Sequence, residues 1–171
     1  MSNKRVLVVF FSSSGNTRKV GQAIAKGLSA TVEEIQEVNP HPADIRGKGL
    51  RNFRNMGYVA FYALMGRTVP IKAMQQDPAD YDLVVIGTPI YASSLPAPVR
   101  AYLVQYGAKC KEVAFFSTGL DPRPPRRMFQ QMEKACGKAP QAVCAFQAAR
   151  IQTGDFLPQV QEFISRLSSE P

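Results

Sequence analysis

Arg5-Val6-Leu7-Val8-Val9-Phe10-Phe11-Ser12-Ser13-Ser14-Gly15-Asn16-Thr17 is the stretch from which the fold can be read. Its first half is a short apolar run of β-branched and aromatic residues, the pattern of a strand buried in a parallel sheet. Beyond it, from Arg18 to Leu28, Val20, Ala23, Ile24, Gly27 and Leu28 recur at helical spacing. A hydroxyl-rich loop, Ser12–Thr17, therefore sits at a strand-to-helix turn. A helix N-terminus carries unpaired N–H groups and a partial positive charge. Small hydroxyl and amide side chains add donors, and Gly15 lets the backbone come close to a ligand. These are the requirements of a phosphate cradle. Ser, Asn or Thr before a helix is also an ordinary N-cap, but six such small residues in a row exceed what capping needs. The loop lacks the Gly-Lys-Ser/Thr end of a P-loop and the G-x-G-x-x-G of a dinucleotide fold. Hydroxyls without a lysine suit a tightly bound monophosphate.

The rest of the chain repeats the alternation. Thr31 to Val38 reads as a short strand near a sheet edge, stopped by Asn39-Pro40-His41-Pro42. Residues 43–79 are less regular. They hold Arg46, Lys48, Arg51, Arg54, Arg67 and Lys72, with a helix-like apolar set from Phe53 to Met65 closed by Gly66. Tyr81 to Gly87 is a second strongly apolar strand, followed by the loop Thr88–Pro96 and a helix over Pro98–Tyr106. Glu112 to Ser117 is another strand, followed by the loop Ser117–Asp121. Pro124 and Pro125 suit the first turn of the next helix. Gln141 to Ala148 is the fifth strand, and Asp155 to Leu167 the last helix. Five strands alternating with five helices imply an α/β fold, a parallel sheet with helices on both faces. Ligands in such sheets bind beyond the carboxyl ends of the strands. The loops after strands one, three and four have that position: Ser12–Thr17, Thr88–Ser94 and Ser117–Asp121.

Composition narrows the classes. The 171 residues favour one domain, 1–171, with a substantial core. No apolar run approaches the roughly 20 residues of a membrane span. The N-terminus shows no signal-peptide cleavage pattern, so the reading expects a cytoplasmic protein. Cys110, Cys136 and Cys144 have neither zinc nor C-x-x-C spacing and read as free or buried thiols. The only histidine, His41, lies in a proline turn. No Ser-His-Asp set or metal cluster stands out, so no catalytic residue is named. The formal net charge of +8 favours anionic ligands or acidic partners. No nucleic-acid-binding module accompanies it.

Taken together, the three loops resemble the flavodoxin family nearly end to end. Ser12-Ser13-Ser14-Gly15-Asn16-Thr17 is similar to that family's T/S-x-T/S-G-x-T phosphate loop. Tyr81-Asp82-Leu83-Val84-Val85-Ile86-Gly87-Thr88-Pro89-Ile90-Tyr91, followed by Leu95-Pro96-Ala97-Pro98, resembles a branch of short bacterial flavodoxin-like proteins. That branch also has a basic, aromatic connection between strands two and three.

The resemblance implies a flavodoxin-like three-layer sandwich, with a five-stranded parallel sheet of order 2-1-3-4-5 and non-covalently bound FMN. It implies that Ser12, Ser14, Asn16 and Thr17 donate side-chain hydrogen bonds to the phosphate, and Ser13 and Gly15 their N–H groups. Thr88, Pro89, Ile90, Tyr91, Ala92 and Ser93 would flank the ring, with Tyr91 stacked on it, and Ser117, Thr118 and Gly119 would touch its other edge.

Three departures stand out. Carrier flavodoxins are usually acidic, and this chain is basic. The Ser117–Asp121 loop supplies no second aromatic. Strand five has no long insertion. Three functions stay open: an electron-transfer flavodoxin serving an acidic redox partner, an NAD(P)H-dependent FMN reductase acting on quinones or similar acceptors, and a flavodoxin-fold binding module without redox activity. Arg123, Arg126 and Arg127 are candidates for drawing in an anionic small molecule, an acidic protein or the phosphates of NADPH. A homodimer is left open.

Overall fold

The computed structural model of the protein describes residues 4–39, 66–90 and 94–168. The expected helix within 53–65, most of the basic 43–79 connection, His41 and the ring-flanking residues Tyr91, Ala92 and Ser93 lie outside the described residues. The elements are β1 (Val6–Phe10), α1 (Asn16–Leu28), β2 (Thr31–Glu34), β3 (Leu83–Pro89), α2 (Ala97–Tyr106), β4 (Glu112–Gly119), α3 (Arg126–Cys136), β5 (Val143–Gln147), α4 (Ala148–Thr153) and α5 (Leu157–Ser168). The five strands form one sheet of order β2-β1-β3-β4-β5, every neighbouring pair parallel. The expected order 2-1-3-4-5 is therefore the observed one.

Each face of the sheet has its own core. Val8, Phe10, Val85, Phe116 and Phe146 point towards α1, α4 and α5, meeting Val20, Ile24, Ile151, Val160 and Phe163. Leu7, Val9, Ile86, Val113 and Phe115 point the other way, towards Val99, Tyr102 and Leu103 of α2 and Met128, Phe129 and Met132 of α3. Coverage on both faces explains why β1 and β3 are buried at every position and read as unbroken apolar runs. Each fully buried aliphatic or aromatic side chain contributes about 1.5–3 kcal/mol. In α1 the buried residues are Thr17, Val20, Gly21, Ile24 and Ala25, the i, i+3, i+4 spacing of a helix lying on a sheet. Gly21 packs directly on the Phe10 ring, where a Cβ would collide, so α1 sits unusually close to β1.

Several boundaries differ from the sequence reading. β2 pairs with β1 only to Glu34, and the Ile35 N–H then donates to Phe10 O at 2.8 Å. Past Phe10 no β1 ladder remains, so residues 36–38 pair with the returning chain instead. Glu37 and Ile71 form an antiparallel bridge, flanked by Val38 N–H to Pro70 O (3.0 Å) and Lys72 N–H to Gln36 O (2.8 Å). The Glu33 carboxylate also takes the N–H groups of Gln75 and Gln76. The strand positions of Val32 and Val38 belong to this edge, and both side chains are exposed. β3 and β4 run on through Thr88-Pro89 and Thr118-Gly119, because they pair with each other to Thr118 and β5 pairs with Gly119. The single expected last helix is preceded by a short one, α4, closed by Gly154 at φ 89°. No helix among the described residues is long and apolar enough to cross a membrane.

The three cysteines are free, Cys110 and Cys136 buried and Cys144 half-buried. Burial pushes the Cys110 and Cys144 thiols up to about 11 from an ordinary 9.0. Each thiol thus ionises more easily in the unfolded chain, so its contribution is complete below the ordinary value and is lost as pH climbs towards 11. The urea midpoint should fall between pH 9 and 11, and fall less in Cys144→Ala. Equal slopes in the two proteins would contradict this. A Cβ at Gly87 would lie within the Phe116 ring, which is itself locked edge-on against Phe146 at 6.2 Å between centroids. Gly87→Ala should therefore lower unfolding stability by about 1–3 kcal/mol in urea titration.

Candidate functional site

Three hydrogen bonds draw the carboxyl ends of β1, β3 and β4 together. Phe11 N–H donates to Gly87 O at 3.2 Å, and Ile90 N–H to Thr118 O at 3.0 Å. The third joins the hydroxyls of Thr17 and Thr118 across 2.8 Å in the interior. Thr17 is 1% exposed and Thr118 4%, so this contact excludes water. It ties the first turn of α1 to β4, and so brings the Ser12–Thr17 and Ser117–Gly119 stretches into one place.

The loop itself is built for donation. Gly15 stands at φ 89°, a left-handed backbone that side chains disfavour, and a Cβ there would meet nothing within 4 Å. Glycine is thus required by the turn, and no described residue fills the space before it. The Ser12 hydroxyl oxygen accepts the Arg18 N–H at 3.2 Å, which caps the helix and leaves the Ser12 proton available to donate. Ser14 is exposed. The N–H groups of Asn16 and Thr17 belong to the first turn, which has no intrahelical acceptor for them. Acidic side chains are absent from that turn, and none occurs in 12–19, 86–90, 94–96 or 115–120. A loop of hydroxyls and N–H groups with no acidic residue in its own sequence suits a phosphate dianion. One restriction follows for Thr17 and Thr118. Their shared bond uses one of two hydroxyl protons, so the pair can offer only one more.

On the opposite face of the sheet, Thr88 lies beside Ser117 in register. The Thr88 hydroxyl donates to Pro89 O at 3.0 Å. Ser117 Oγ is fully buried and has no hydrogen-bond partner among the described residues. An orphaned hydroxyl at this end of the sheet is a donor waiting for a group. Gly119 must be small, since a Cβ would come within 2.7 Å of Ile90. Leu95 N–H reaches Gln131 Oε1 at 3.4 Å and Gln147 Nε2 reaches Leu120 O at 3.2 Å, so α3 and β5 steady the loop ends. A bidentate pair, Arg18 to Glu34 at 2.8 and 2.7 Å, fastens the start of α1 to β2 and raises the Arg18 pKa. These steadying contacts carry no sequence signature, since each joins residues far apart in the chain.

The basic cluster after β4 is only partly available. Arg123 grips Asp121 through Nε and Nη2, and its guanidinium and N–H hold the Asp121 carboxyl down at about 2. Arg126 and Arg127 are exposed at the start of α3.

The sequence profile described as flavodoxin matches residues 5–140, most of the chain. The chain belongs to the flavodoxin family. Solved structures share the fold of this flavodoxin. The flavoprotein from Lactobacillus acidophilus NCFM, in complex with FMN, has a TM-score of 0.68 at 21% identity, covering 88% of this chain and 97% of its own. Flavodoxin 2 from Bacillus cereus has a TM-score of 0.58 at 16% identity, covering 96% and 97%. General stress protein 14 from Treponema denticola, also in complex with FMN, has a TM-score of 0.52 at 15% identity, covering 96% and 98%. No curated protein matches the sequence.

The buried hydroxyl pair makes a stability test. Thr17→Val and Thr118→Val should each cost about 1–3 kcal/mol, because each leaves a buried hydroxyl unpaired. The double variant should cost less than the sum by about 0.5 kcal/mol or more in a double-mutant cycle. Strict additivity would mean that the two hydroxyls do not bond.

Proposed function

We propose that this flavodoxin holds one FMN non-covalently at the carboxyl ends of β1, β3 and β4 and transfers electrons through it. The observation that carries the reading is the acid-free donor loop Ser12–Thr17, fastened to β4 by the Thr17–Thr118 bond. The FMN complexes of similar fold support it. When bound, the flavin supplies one- or two-electron redox chemistry, and the protein supplies binding, orientation and electrostatics. Ser12, Ser14 and Asn16 side chains, one hydroxyl of the Thr17–Thr118 pair, and the N–H groups of Ser13 and Gly15 would hold the phosphate. Thr88 to Ser93 would flank the ring, with Tyr91 stacked on it, and Ser117 to Gly119 would meet its other edge. Ser117 Oγ, without a partner among the described residues, would gain one.

The charge of the chain, +8, argues for an acidic redox partner or an anionic acceptor. Three free thiols fit a reducing compartment, and we place the protein in the cytoplasm.

The purified chain should take up added FMN and turn yellow, with quenched flavin fluorescence. Ser14→Ala should weaken that affinity by about 1–3 kcal/mol, or roughly 5- to 150-fold in Kd. A colourless protein that quenches no FMN would end the reading, and an unchanged Kd in Ser14→Ala would remove that residue from the cradle. Rapid bleaching of the FMN form by NADPH would replace the carrier by a reductase.

A further inference from the structure

Arg100 has no role in the site described so far. It sits in the first turn of α2, its N–H donating to Pro96 O at 3.0 Å, directly after the stretch that leaves the carboxyl end of β3. Its neighbours Val99 and Ala101 are buried, and Arg100 itself is half-buried. Its Nε is shut off from solvent and has no hydrogen-bond partner among the described residues. A Cβ placed on Gly66 would lie 4.0 Å from its Nη1, so the guanidinium lies against the point where the chain returns towards the sheet. No carboxylate among the described residues pairs with it, in contrast to Arg18 and Arg123. Burial alone lowers its pKa, with no acid opposing the loss of water.

A guanidinium held partly out of water without a counter-charge is unfavourable, and an anion arriving there recovers that loss. The planar fork fits the two oxygens of a phosphate or carboxylate. Partial burial also strengthens such a bond relative to one in open water. A purely structural arginine would need only its aliphatic stem to cover apolar surface, which a methionine does equally well.

We propose that Arg100 is the anion-binding residue of a second subsite, one that receives the oxyanion, phosphate or carboxylate, of the small molecule that exchanges electrons with the protein. The pairing with electron exchange rests on the FMN reading, whereas the anion site itself does not.

The test uses the FMN-loaded chain and an arginine-specific dicarbonyl reagent, with modification of Arg100 followed by peptide mass mapping. At constant ionic strength, inorganic phosphate or acetate should slow that modification about tenfold relative to chloride. Stronger protection by phosphate assigns a phosphate-bearing molecule, and stronger protection by acetate a carboxylate. In Arg100→Met the rise in Tm produced by the protecting anion should vanish, while the Kd for FMN stays within about twofold, less than the loss of one charge-assisted hydrogen bond. Equal modification rates in all three salts, or no modification in any of them, overturn the proposal. So does a tenfold loss of FMN affinity in Arg100→Met, which would place the guanidinium on FMN itself. A chain that takes up no FMN ends the FMN reading alone, since the phosphate and acetate arms can then be run on the chain without it.

Discussion

One buried hydrogen bond, between two threonine hydroxyls 101 residues apart in the chain, sets the geometry on which the site depends. Its net worth is about 1 kcal/mol when made, but leaving either hydroxyl unpaired in the core costs more. Gly21, one turn further along α1, presents no Cβ to Phe10 and lets the helix pack directly on the strand. A larger residue there would lift the helix and carry Thr17 away from β4. The helix start is also held from the other side by the Arg18–Glu34 pair on β2. Between these two fastenings the Ser12–Thr17 turn has little freedom, and its donors are pre-arranged rather than gathered by the ligand.

The two edges of the sheet are closed by different means. At β2 the open side is met by the Glu37–Ile71 bridge and by the Glu33 carboxylate on Gln75 and Gln76. At β5 the Gln159 side chain donates to Ala145 O at 2.8 Å. Edge strands with unpaired backbone groups are templates for unwanted pairing, so both devices favour a sheet that stays five strands wide. At the carboxyl ends of the central strands, Ser117 Oγ is left without a partner among the described residues.

Much of this was legible in the residues. The apolar runs at Val6–Phe10, Leu83–Gly87 and Val113–Phe116 could hardly be anything but buried parallel strands, and the alternation with helices gave the architecture. The strand order came from the family resemblance of the loops. Strand ends were less legible. Hydropathy stops at Gly87 and Phe116, yet pairing continues through Thr88-Pro89 and Ser117–Gly119, because a ladder is set by the neighbouring strand and not by side-chain polarity. α4, of 6 residues, is too short to show a period. Of the site, the donor character of Ser12–Thr17 was plain, but the Thr17–Thr118 bond was not, since no local pattern links two distant hydroxyls. The pairing of Arg123 with Asp121, two residues earlier, was not legible either.

The antiparallel bridge of Glu37 with Ile71 has a consequence for how this fold can vary. It brings the two ends of the intervening connection to one point, independently of what lies between them. Once the ends of a loop are fixed, doubling its length raises the closure entropy by only about 0.6 kcal/mol. For closure of the bridge itself, the length of the chain between Asn39 and Gly66 thus matters little, and the bridge fixes where that connection leaves and rejoins the sheet edge.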